Sequence, residues 1–116
     1  MDKEKEETFE VIRPFGDAEI EQHAAKVGGR RNLRETTIES DGVVFHYLIK
    51  KPSRAVMQAV TDAEQRKNIG QVQKLMMGCV LEGDRDAFEY DGSIYIRLLE
   101  SISKLVDTAT ADIKKL

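Results

Sequence analysis

Cys79, His23 and His46 are the residues of this chain best suited to nucleophilic or acid–base work. A thiol nucleophile needs a base in hydrogen-bond contact and an oriented oxyanion site. Cys79 falls in register with Val72, Leu75 and Met76 on an apolar stripe. It therefore reads as a small buried hydrophobe, with no basic residue beside it to make a thiolate. His46 alternates with Val44 and Leu48 and reads as a partly buried strand histidine. One cysteine and two scattered histidines do not make a zinc-ligand spacing. The expectation is a chain with no catalytic constellation, no metal site and no cofactor.

Two further stretches have the composition of ligand loops. Glu82, Asp84, Asp86, Glu89 and Asp91 crowd one segment. A calcium loop beginning D-x-D-x-D requires glycine at its sixth position. Counted from Asp84, the fifth residue is Phe88 and the sixth is Glu89, so the match fails and a solvated acidic loop is expected. "KVGGRR" lacks the Lys-Ser/Thr that closes a phosphate loop, and reads as a helix end with basic decoration.

Basic residues cluster twice, as Lys26, Arg30, Arg31 and Arg34 and again as Lys50, Lys51 and Arg54. Both clusters fall at one end of a predicted hairpin. The formal net charge is −3 with pI near 5.4, so the chain as a whole has no pull toward nucleic acid. The clusters can be a solvated sheet end, a nucleic-acid contact or a protein contact. Facing the acidic 82–91 segment of another copy, they could join molecules head to tail, a contact that closes into rings or runs on as filaments. The candidate partner-contact residues are Arg30, Arg31, Arg34, Lys50, Lys51 and Arg54, with Phe45 and Tyr47 on the strand and Asp84 and Asp86 as the acidic counterpart.

These side chains must be positioned by a small set of elements. "VIRPFGD" is a short apolar segment broken by Pro14 and Gly16, and Asp17 can cap a helix carrying Ile20, Ala24 and Val27. Gly28-Gly29 ends that helix. "LRETTIES" and "VVFHYLIK" flank Asp41-Gly42, a favoured type I′ hairpin turn. The second strand is apolar on both faces, which calls for a helix on each face or for a second chain, and the second chain is the favoured expectation. Lys51 precedes proline and stays extended, Pro52 ends pairing, and Ser53 is a good N-cap. Val56, Met57, Val60 and Ala63 then form a helical stripe. "RKNIG" interrupts it, and a second stripe runs from Val72 to Gly83 through Gly78. A last helix beginning at Asp91 or Ser93 carries Ile94, Leu98, Ile102, Leu105, Val106 and Ala109, with Lys114 and Lys115 complementing its dipole.

The totals bound the rest. The 116 residues suit one α+β domain, mostly helical, with one hairpin and three or four helices over residues 9–116. Residues 1–8 are mostly Glu and Lys and read as a frayed tail. No stretch approaches the ~20 apolar residues that span a bilayer. The charged start has no apolar leader segment, and a single cysteine forms no internal disulfide, so a cytoplasmic location is expected.

Residues 43–107 resemble the small tail assembly chaperones of tailed phages and prophages. The resemblance rests on a strand running into "KKPSR", a helix "AVMQAV", a second helix ending "CVLEGD" and a final helix after "DGS". It lies in the order of elements, since none of these motifs is a chemical signature. It implies a non-enzymatic protein of the host cytoplasm, mostly helical, that binds the tape-measure protein or tail-tube subunits before assembly and often oligomerises. The alternative is a small nucleic-acid-binding or regulatory protein using the basic end of the hairpin.

Overall fold

The computed structural model describes residues 9–116, and the frayed tail expected over 1–8 lies outside them. In chain order the elements are β1 (Glu10–Ile12), α1 (Asp17–Val27), a 3-10 turn (Arg30–Asn32), β2 (Leu33–Ser40), β3 (Val43–Lys50) and α2 (Arg54–Gln65). There follow α3 (Ile69–Met77), β4 (Val80–Glu82), α4 (Arg85–Tyr90), α5 (Gly92–Lys104) and a second 3-10 turn (Leu105–Asp107). The fold is α+β and mostly helical.

The hairpin is built as its turn dictates. Asp41 and Gly42 both take positive φ, 52° and 82°, the pair that a type I′ turn needs. The register runs from Ser40↔Val43 to Leu33↔Lys50. The other edge of β3 is shared by two short strands. β1 lies parallel along its first half, Glu10↔Val43 to Ile12↔Phe45, and β4 lies antiparallel against Leu48 and Ile49. The result is a four-stranded mixed sheet around β3. The outer strand β2 carries Arg34, Glu35 and Glu39, charges that discourage further pairing.

Both faces of β3 are covered by the chain itself, contrary to the expected second chain. Tyr47 and Ile49 face a core with Ile38, Val60, Met76, Cys79, Val80 and three residues of α5, Ile94, Leu98 and Ile102. Leu48 faces the other way, into a smaller core with Phe15, Ile20, Ala24 and Leu33 under α1. The three α5 anchors follow at i, i+4 and i+8, and each contributes about 1.5–3 kcal/mol by leaving water.

Several elements differ from the sequence reading. "CVLEGD" does not end a helix: Gly78 caps α3, and Val80–Glu82 turns extended to fill the open edge of β3. The acidic segment is not a plain loop, because the Asp84 side chain caps α4 by accepting from the Ala87 N–H. Asp17 is the first residue of α1, and Gly16 is its cap, with the Gly16 N–H donating to Glu19 Oε1 at 2.7 Å. Residues 108–116 take no regular structure, so Lys114 and Lys115 lie beyond the end of α5 and complement no dipole. Ser53 does cap α2, its Oγ accepting from the Val56 N–H at 3.2 Å.

Candidate functional site

The basic clusters meet only in part. Leu33 pairs with Lys50, and the Lys51 N–H donates to the Asn32 carbonyl, so the hairpin base packs against the end of α1. Lys26, Lys50 and Lys51 thereby line one cleft of about 390 Å³ with Val27, Asn32 and Ser53. The arginines are placed otherwise. Arg30 pairs with Glu21, and Arg34 donates to the carbonyls of Arg31 and Leu33. Arg30 and Arg34 border a second, smaller cleft, while Arg31 and Arg54 are exposed outside both.

The other candidate contact residues divide. Tyr47 is fully buried and cannot touch a partner. Its hydroxyl donates to the Asp84 carbonyl at 2.7 Å, and its ring meets Phe88 with centroids 6.0 Å apart. Burial, with the nearby Asp84 charge, pushes the Tyr47 phenol up to about 12. Phe45 is half-buried at the margin of the larger core, and Asp86 is exposed in the first turn of α4. Much of the acidic segment is already committed: Glu82 binds His23, Asp84 caps α4, and Asp91 caps α5 and accepts from Ser40. Hydrogen bonds from Ser93 and Ser40 hold the Asp91 carboxyl below the usual carboxylate range.

No base reaches the thiol. His46 Nδ1 lies 2.6 Å from Glu35 and His23 Nε2 lies 2.7 Å from Glu82, both on the α1 side of the sheet. Cys79 is wholly buried in the core on the opposite side, in the turn between α3 and β4 rather than on a helical stripe. Burial pushes its thiol up; the Lys50 charge pulls the other way and is outweighed. Among the described residues, no three His, Cys, Asp or Glu side chains are grouped to hold a metal ion. No described helix is long and apolar enough to cross a membrane.

A more apolar opening lies elsewhere, between α2, α3 and the end of α5. Met57 and Val60 from α2, Val72 and Met76 from α3, and Leu99 and Val106 line a groove of about 350 Å³. Glu64 and Asp107 stand on its rim, with Gln73 and Ser103. Three helices create it: α2 and α3 are joined by a tight turn, with Lys67 at φ 58°, and the groove opens where both line up with the C-terminal part of α5 and the 3-10 turn after it. The groove is an aliphatic and thioether surface with acidic edges. Such a surface accepts an apolar face, and its two methionines can adapt to different shapes. The sequence shows each stripe as apolar, yet the gap between stripes follows from interhelical angles, which no stripe encodes. Met57 is the available signal, a pliable and half-buried residue on the α2 stripe. Comparison with family models, curated proteins and solved structures returned no match.

Proposed function

We propose that this chain is a non-enzymatic binding protein, a phage tail assembly chaperone whose α2–α3–α5 groove shields an apolar helical segment of the tape-measure protein before assembly. The observation that supports this reading is the groove itself, in which Met57, Val72, Leu99 and Val106 are partly or fully exposed above Val60 and Met76, which belong to the main core. An amphipathic helix would present its i, i+3, i+4 and i+7 anchors to such a trough. Apolar burial supplies the affinity, and the rim carboxylates Glu64 and Asp107 orient a client that carries basic residues beside its anchors.

The test is co-expression with a phage tape-measure protein, followed by co-purification at low and high salt. Retention in high salt is expected, with loss of the complex in Met57→Glu. A complex indifferent to Met57→Glu would overturn the reading.

A second reading has one observation in its favour. Lys26, Lys50 and Lys51 crowd the cleft at the start of α2, an arrangement suited to phosphate groups of a nucleic acid. Phosphate contacts weaken steeply with salt. Binding of single- or double-stranded DNA that collapses between low and moderate salt, and on Lys50→Glu/Lys51→Glu, would favour this reading over the first.

A further inference from the structure

Residues 108–116, "TATADIKKL", leave the molecule at the rim of the groove, because Asp107 lines it. In the structure this segment takes no regular conformation, and Ile113 and Leu116 are 93% and 117% exposed. Ala109, Ile113 and Leu116 nevertheless stand at i, i+4 and i+7, the spacing of one face of a helix. Lys114 and Lys115 sit between the two larger anchors. The groove offers the complement: an aliphatic floor with Glu64 and Asp107 at its edge. At about 350 Å³ it has more than twice the room of the ~150 Å³ cavity that admits a benzene-sized guest, so two aliphatic side chains fit.

We propose that the groove is filled by segment 108–116 of a second copy of this chain, folded on docking into a short amphipathic helix. Ile113 and Leu116 enter between α2, α3 and α5, and Lys114 and Lys115 meet Glu64 and Asp107. The inference rests on reading the groove as a docking site for an apolar helix. It adds that the chain carries an internal mimic of its own client, so that self-association and client binding exclude each other.

The donor is a neighbouring molecule for a geometric reason. Within one chain, a fold-back would have to begin at Asp107, already part of the groove wall. Connections between packed helices take about 2–8 residues. Spending Thr108–Thr110 on the reversal removes Ala109 from the stripe and so takes one of the three anchors away from the groove. A segment arriving from another copy keeps all its anchors. Each copy owns one groove and one segment, so the contact is heterologous and propagates unless it closes on itself.

Two full-length variants test this. Ile113→Asp/Leu116→Asp alters only the segment and leaves the groove open; Met57→Glu alters the groove and leaves the segment intact. By light scattering, the unaltered chain is expected to grow in mass with concentration, and each variant alone to be monomeric. Mixed, the two are expected to form a one-to-one pair and nothing larger. A labelled peptide of residues 108–116 should bind the Ile113→Asp/Leu116→Asp chain, and the same two changes in the peptide should weaken binding at least about tenfold. A monomeric unaltered chain, variants that still associate, or a peptide that does not bind would each overturn the proposal. The peptide measurement stands even if Met57→Glu fails to fold. The Ile113→Asp/Leu116→Asp chain also separates the two readings. If it takes a tape-measure helix but not the peptide, this inference fails alone; if it takes the peptide but no tape-measure helix, the client reading fails alone.

Discussion

Gly83 lies directly against the ring of Tyr47: a Cβ at position 83 would stand 2.2 Å from Tyr47 Cδ1 and 2.7 Å from Cε1. The backbone there has φ 134°, a region that side chains with a Cβ rarely adopt. Tyr47 cannot retreat, because it is fully buried and its hydroxyl is held by the Asp84 carbonyl. Gly83→Ala is therefore expected to lose about 3 kcal/mol or more, combining backbone strain with overpacking. Tyr47→Phe should lose only about 0.5–1.5 kcal/mol, the worth of one hydrogen bond. Urea midpoints of the two variants check the order. A Gly83→Ala protein as stable as the parent would mean that the Gly83 backbone does not lie against the Tyr47 ring as described.

Acid should expose the contribution of Glu35. Its carboxylate takes a two-pronged contact from Arg13, at 2.7 and 3.0 Å, and a third from His46. The Arg13 hydrogen bonds, opposed by partial burial and aided by His46, lower its pKa from 4.5 to about 2. A depressed carboxylate stabilises the fold fully above its unfolded pKa, and that contribution fades as pH falls through the folded value. The loss should therefore span roughly pH 4.5 to 2. Because the pair is solvent-exposed, screening holds the effect below ~1 kcal/mol. Melting temperatures of Glu35→Gln and the parent should differ at pH 7 and converge near pH 2. Parallel pH profiles would contradict the prediction.

Cys79 should be chemically quiet in the folded protein. It is completely buried and its thiol is pushed up by that burial. A thiol reagent at neutral pH is expected to label it only in denaturant, at the rate of global unfolding. Stoichiometric labelling within minutes in native buffer would refute this.

Ser53→Ala should cost ~1 kcal/mol through loss of the α2 cap, since Ser53 Oγ accepts from the Val56 N–H. Ser53→Asp should recover most of it. An unchanged denaturation midpoint in the alanine variant would mean that the first turn of α2 is held by packing rather than by its cap.

What could be read from the sequence was local. Asp41-Gly42 fixes the hairpin and its register because turn chemistry and alternation agree over neighbouring residues. The Pro52-Ser53 junction is legible for the same reason. β1 and β4 were not, since three residues carry no period, and each becomes a strand only because β3 offers it an unpaired edge. The same limit misplaced Cys79, whose stripe with Val72 and Met76 continues through Gly78 in sequence but not in space. In sequence Tyr47 reads as a strand aromatic available to a partner, because residues that pack on its ring, Gly83 and Phe88 among them, arrive by a long connection. The basic clusters were visible as composition. Which lysines share a cleft, and which arginines are tied to nearby carbonyls and carboxylates, was set by the packing of α1 on the hairpin base.

The divided edge of β3 also has a consequence in time. During synthesis the hairpin is complete once Lys50 emerges, but β4 follows only after roughly 30 further residues. At 5–20 residues per second that leaves Leu48 and Ile49 beside an open edge for about two to six seconds. On a ribosome translating this message the hairpin edge is therefore expected to wait unpaired for that interval. Slow codons between positions 51 and 80 would lengthen it, and fast ones would protect the yield of soluble protein.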